Sequence, residues 1–247
     1  MLGLPEGITA CLFDMDGVLT QTATVHNAAW TETFDAFLRR RAEATGEPFR
    51  PFDPHEDYTR YVDGRQRADG VRTFLASRGI TVPEGGPDDP LDADTVNGIG
   101  NRKNVVLLRR IREDGVQVYD GSLAYLHAVR QAGLRTAVVS ASANTPEIVQ
   151  VTGLASLLDV RVDGNVARAE GLPGKPAPDT FLRAAELLDT PAKNAAVFED
   201  AIAGVEAGHS GAFGFVVGVD RVGRDHPAAL RAAGASVVVQ DLSELLS

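Results

Sequence analysis

An unbroken apolar run, ACLF at residues 10–13, stops abruptly at DMDG. Comparable β-branched runs return only in the second half of the chain, as TAVVSAS (136–142), LDVRVDG (158–164), NAAVFED (194–200), FGFVVGVD (213–220) and SVVVQD (236–241). Segments with helical patterning separate them, 121–133 ending at Gly133, 178–188, 201–209 and 226–233, and a short C-terminal helix completes the series. Continuous apolar strands alternating with helices predict an α/β fold, a Rossmann-like parallel sheet with helices on both faces.

The gap between the first run and residue 115 has a different character. It carries helical patterning at 24–44, 66–78 and 94–113, with no convincing apolar strand. Two loops rich in Pro, Gly and Asp lie between these helices, GEPFRPFDPHED (46–57) and VPEGGPDDPLDAD (82–94). The pattern predicts an α-helical domain, residues 23–114, inserted after strand one of a core built from residues 1–22 and 115–247.

The chain is long enough, at 247 residues and 44% hydrophobic, to bury a core for one large domain or two unequal ones. Its formal net charge of -10 opposes nucleic acid and acidic membranes, so neither is an expected partner. A small anionic substrate would then need a local positive site. The single cysteine, Cys11, lies within the first strand and reads as a buried apolar residue. No basic stretch followed by an apolar one opens the sequence, and no apolar run reaches membrane-spanning length. The expectation is a cytoplasmic monomer.

Ligands of open parallel sheets bind at the carboxyl ends of the strands. Asp14, Asp16 and Gly17 follow the first predicted strand; Ser140, Ser142 and Asn144 follow the next; Lys175 lies in GLPGKPAPDTF; Glu199 and Asp200 close NAAVFED. Each has an ordinary structural reading, as turn residue, helix cap or solvated charge. Their joint occurrence at strand ends favours one shared crevice. Acids crowded there stay ionised only beside a cation, and hard carboxylate oxygens without His or Cys favour magnesium. One aspartate can then attack phosphorus to form an acyl phosphate, while a second aspartate two residues away transfers the proton.

In these four motifs, DMDGVLT, VVSAS, GKPAP and VFEDA, the chain resembles the haloacid dehalogenase-like superfamily. The resemblance implies Asp14 as nucleophile and Asp16 as general acid/base. Ser140 and Lys175 would hold the transferring phosphate. Mg2+ would be held by the Asp14 carboxylate, the Asp16 backbone carbonyl and Asp200, with Glu199 behind them. A narrower similarity to the β-phosphoglucomutase branch rests on DMDGVLTQTATVHNAAW, YVDGRQR, GNRKN, VVSASAN and GKPAPDTFLRAA. It implies that Thr22 and His26 belong to the linker and first cap helix, His26 lying near Asp16 when the cap closes. The register of YVDGRQR rests on Gly64 and offers Arg67 for the distal phosphate, with Arg65 as its rival; Lys103 is offered beside it, with Arg102 as the rival. Ser142 and Asn144 reach towards the sugar. The branch converts β-glucose 1-phosphate to glucose 6-phosphate through a 1,6-bisphosphate.

Departures from that pattern keep other readings open. Gln21 replaces a usual aspartate, Ala201 a frequent serine and Ala143 a lysine that helps to bind distal phosphate or sugar; the loop at 82–94 is long. A phosphatase acting on a small phosphorylated sugar is the main alternative. An inactive binding module on the same fold is a weaker one, because Asp14, Asp16, Lys175 and Asp200 are all present.

Overall fold

The computed structural model describes residues 2–246 and divides the chain into two compact units, one of Met1–Gln21 and Val116–Ser247, the other of Thr22–Gly115. The first is a six-stranded sheet in the order β3-β2-β1-β4-β5-β6, parallel throughout. Its strands are β1 (Ala10–Phe13), β2 (Arg135–Val139), β3 (Val160–Val162), β4 (Ala195–Glu199), β5 (Phe215–Val219) and β6 (Val237–Val239). This is the α/β architecture expected from the alternating apolar runs.

Connecting helices are α4 (Asp120–Gln131), α5 (Thr145–Val151), α6 (Gly164–Glu170), α7 (Asp179–Leu187), α8 (Ile202–Ser210) and α9 (His226–Ala232), numbered after α1–α3 of the other unit. Two of these, α5 and α6, had no clear sequence signal. Each is seven residues long, too short for two full periods of an amphipathic pattern. α6 instead starts on local chemistry, the Asp163 carboxylate accepting from the N–H groups of Asn165 and Val166.

Alternation along the central strands divides the core into two layers. Ala10 and Leu12 of β1 point with Val139, Val197 and Phe181 into one cluster. Cys11 and Phe13 face the other way; Phe13 stacks on its register partner Phe198 at 4.5 Å and meets the edge of Tyr125 from α4 at 6.4 Å. The ladder also runs one residue past the strands. Asp14 N–H donates to Phe198 O, Ser140 N–H to Val162 O and Asp220 N–H to Val239 O. Polar residues at the carboxyl edge are therefore fixed by sheet hydrogen bonds.

The second unit is helical: α1 (Ala23–Thr45), α2 (Arg67–Ser77) and α3 (Val96–Asp114). No strand occurs in it among the described residues. Phe34 of α1 is the hub of its core, stacked on Trp30 at 4.9 Å and packed on Phe52 and Phe74. The first Pro-rich loop ends in a π-helical turn, Tyr58–Val62, closed by Asp63 N–H donating to Tyr58 O. The second is held against α3 by Asn97 and Asn101, whose amides donate to the carbonyls of Glu84, Gly85, Pro87 and Asp89. A long loop is thus well seated.

Phe13→Ala should destabilise the fold by about 3–5 kcal/mol, since a fully buried ring would leave a cavity between two aromatic neighbours. Urea unfolding followed by circular dichroism measures it; a loss below about 1 kcal/mol would contradict the packing described.

Candidate active site

Asp14 sits on the ladder between β1 and β4, which places its carboxylate beside Glu199 and Asp200. Ligand oxygens of these three buried acids lie within 4.8 Å of one another. Lys175, carried by the loop before α7, enters the same space. Its Nζ lies 2.5 Å from Asp14 Oδ1, also pairs with Glu199 Oε1, and donates to Val139 O at 3.2 Å. Only 3% of Lys175 is exposed, so this ammonium is held entirely by protein.

Two glycines make the close approach possible. Gly17 has φ +95°, and a Cβ there would come within 1.8 Å of Asp200 Oδ2. A Cβ on Gly204 in the first turn of α8 would stand 1.9 Å from Glu199 Oε1. Glycine at 17 therefore answers both a left-handed backbone and a steric demand. Glu199 is fully buried, and its Oε2 accepts the Ala201 N–H.

Burial pushes the Asp14 carboxyl well above its ordinary range; Lys175 opposes this, while Glu199 and Asp16 add to it. Burial alone would lower the Lys175 ammonium, but Asp14 and Glu199 more than offset it and hold it above its usual value. One buried cation thus faces a larger number of acids. Asp14, Glu199 and Asp200 could hold a further cation, and buried hard oxygens suit a divalent ion such as magnesium.

Ser140 stands at the end of β2, its Oγ 3.4 Å from Asp16 Oδ2 and accepting from Ser142 N–H. Ser142 Oγ accepts from the N–H of Asn144, which leads into α5. The loop is seated from outside by residues without a sequence signal. Asn165 Nδ2 donates to Ala143 O, and Gly164 lies so close that a Cβ would meet Ala141 O at 2.6 Å. Asp14, Asp16, Ser140, Lys175, Glu199 and Asp200 are thus brought into one cluster, with Ser142 and Asn144 continuing from it.

The remaining candidates lie in the helical unit. Thr22 is buried just before α1, and His26 lies in its first turn. Lys103 of α3 is almost fully buried, with Nζ 3.0 Å from His26 Nδ1 and 5.1 Å from the centre of the Trp30 ring. Its neighbour Arg102 turns instead to Asp94. Gly64 takes φ +68° after the π-helical turn, and Arg67 opens α2 with its side chain against Gly100 of α3. Trp30, the aromatic floor beneath Lys103, closes the stretch DMDGVLTQTATVHNAAW, in which nothing marks it for that place.

A family model described as a haloacid dehalogenase-like hydrolase matches residues 8–211. The chain is 59% identical over 247 residues to a β-phosphoglucomutase of Mycobacterium tuberculosis, covering all of this chain and 94% of the relative. It is 35% identical over 234 residues to a second M. tuberculosis protein, named as an uncharacterized glycosyl hydrolase; that match takes in 95% of this chain and 17% of the larger protein. A crystal structure of a β-phosphoglucomutase from Clostridium difficile superposes with a TM-score of 0.74 at 24% identity, covering 96% of this chain and 93% of that one; this likeness speaks to fold alone.

Lys175→Met should cost about 3–5 kcal/mol in metal-free buffer, because it strands Asp14 and Glu199 without their buried counter-charge. Denaturant titration with and without magnesium measures the effect. Unchanged stability would show that the ammonium does not carry the cluster.

Proposed function

The chain belongs to the haloacid dehalogenase-like hydrolase family, and from that membership we propose a magnesium-dependent phosphomutase that interconverts β-glucose 1-phosphate and glucose 6-phosphate. The observation that carries the reading is the Asp14–Lys175–Glu199 cluster with Asp16 and Ser140 beside it, joined to 59% identity with a named β-phosphoglucomutase. As a coarser statement, the protein is an enzyme of the phosphomutase or sugar phosphatase kind.

In this reading an Asp14 oxygen forms a bond to phosphorus as the ester oxygen leaves, and Asp16 gives that oxygen a proton. The aspartyl phosphate then passes its phosphoryl group to a second sugar hydroxyl, whose proton Asp16 takes. Glucose 1-phosphate becomes the 1,6-bisphosphate in one half-reaction; in the other, Asp14 recovers the 1-phosphoryl group and glucose 6-phosphate leaves. Lys175 and Ser140 hold the phosphoryl oxygens, and Lys175 restrains Asp14 in its attacking position. Asp14, Asp200 and the Asp16 carbonyl would hold magnesium. Both Glu199 oxygens are already engaged, by Lys175 and by Ala201 N–H, which suits a supporting role. When bound, the ion supplies charge neutralisation for carboxylates and phosphoryl oxygens alike.

Product choice would rest with the helical unit, acting as a cap that excludes water while the bisphosphate turns round. His26, Lys103, Arg67 and Thr22, with Ser142 and Asn144 of the core, are the residues proposed for the sugar and its distal phosphate. The phosphatase reading keeps one specific support. At position 143 a methyl group stands where a lysine would contribute charge, and its backbone carbonyl is tied to Asn165.

A coupled assay for glucose 6-phosphate from β-glucose 1-phosphate, with magnesium and a bisphosphate primer, should show turnover exceeding phosphate release. Free phosphate without glucose 6-phosphate would replace the mutase with the phosphatase. Asp14→Asn should abolish both turnover and the hydroxylamine-labile phosphoenzyme, and Asp16→Ala should slow transfer by about 10²–10⁴-fold. Arg67→Ala should depress mutase turnover more than hydrolysis of an aryl phosphate; equal losses would remove Arg67 from the distal phosphate.

A further inference from the structure

The loop following β1, residues 14–20, is held on almost every side by hydrogen bonds. Met15 O accepts from the N–H groups of Leu19 and Thr20 and from the Thr20 hydroxyl. Val18 O accepts from Ser122 Oγ, Leu19 O from Tyr119 N–H, and Thr20 O from Gly17 N–H. The Gly17 carbonyl has a different kind of partner. Arg221, the second residue beyond β5, donates to it from Nε at 2.8 Å.

The same guanidinium donates from Nη1 to Gln240 O at 2.7 Å and lies 3.6 Å from the centre of the Tyr119 ring. Its nearest acid, Asp241, is 3.7 Å away. Three loops, after β1, β5 and β6, are therefore joined through one side chain. Arg221 is itself presented by a rigid turn. The Asp220 carboxylate accepts from the N–H groups of Val222 and Gly223 and lies 2.9 Å from Nδ1 of buried His226.

A largely buried guanidinium whose Nε and Nη1 bond to carbonyls, and whose Nη2 is buried without a hydrogen bond, is a poor device for stability alone, since desolvation offsets much of what it gains. Its geometric effect is specific. Gly17 is the residue whose left-handed backbone lets the Asp200 carboxylate approach, so a peptide plane held by Arg221 sets where Asp200 stands relative to Asp14 and Asp16.

We infer that Arg221 is a positioning residue: by tying the Gly17 carbonyl to the loops after β5 and β6, it holds the Asp14–Asp16 loop in register with Asp200. The inference rests on the proposed role of these acids in phosphoryl transfer. Displacing a catalytic group by about 1 Å can cost about 10²-fold in rate, so loss of this tie reaches kcat more than KM.

The test compares Arg221→Ala, Arg221→Lys and Arg221→Gln in magnesium-dependent hydrolysis of p-nitrophenyl phosphate, alongside amide hydrogen exchange of the metal-free proteins. Arg221→Ala should lower kcat by about 10–10²-fold with KM within about threefold. Exchange should quicken in residues 14–20 while β4 and α4 stay protected. Arg221→Lys, which keeps a cationic donor, should recover part of kcat and of the protection. If the alanine variant does not fold, the glutamine variant carries the same comparison against lysine. Full kcat in the alanine or glutamine variant overturns the inference. So does faster exchange spread evenly through the α/β unit with no recovery by lysine, which marks a merely structural tie. If the phosphotransfer reading itself fails, the unsubstituted protein shows no turnover, whereas the exchange pattern still reports on the tie.

Discussion

A lysine ammonium buried among carboxylates is the constraint around which the α/β unit is arranged. Lys175 is paired with Asp14 and Glu199 and hydrogen-bonded to Val139 O, so it joins the ends of β1, β2 and β4 through one charge. Charges this far from water are costly, and the arrangement persists only with close contacts on every side. Sheet hydrogen bonds running one residue past the strands supply part of that closeness. Glycines at 17 and 204, where a methyl group would collide with a carboxylate, supply another part.

A second buried cation organises the helical unit. Lys103 lies against His26 and the Trp30 ring, inside a core built on Phe34. The two units thus share a design, in which an apolar core presents a lysine whose environment is almost wholly protein. Under the proposed function, such lysines would meet a phosphorylated ligand from positions already ordered, so little entropy would be lost on binding. Family membership and extensive identity to a named β-phosphoglucomutase agree with the chemistry these groups offer.

The α/β architecture was legible because its central strands are buried on both faces and read as unbroken apolar runs ending in acids. The helical character of residues 23–114 was legible from the lack of such runs. The helices α5 and α6 were not, because seven residues are too few for periodicity to show. Asp163, the cap that starts α6, looked like any polar residue at the end of a short strand. In the acidic cluster the participants were readable from their strand-end positions. The Lys175 partners, and the engagement of both Glu199 oxygens, were not.

By itself the sequence determined which residues stand at the carboxyl edge of a parallel sheet, since local hydrophobic runs and turn chemistry decide where strands begin and stop. It also determined that the acids there outnumber the basic groups. Tertiary structure alone decided which carboxylate meets the lysine, that the loop after β1 is held by an arginine some two hundred residues away, and that Lys103 rather than Arg102 turns inward to His26. These pairings follow from strand order, register and packing between distant segments, and such long-range geometry leaves no period or spacing along the chain.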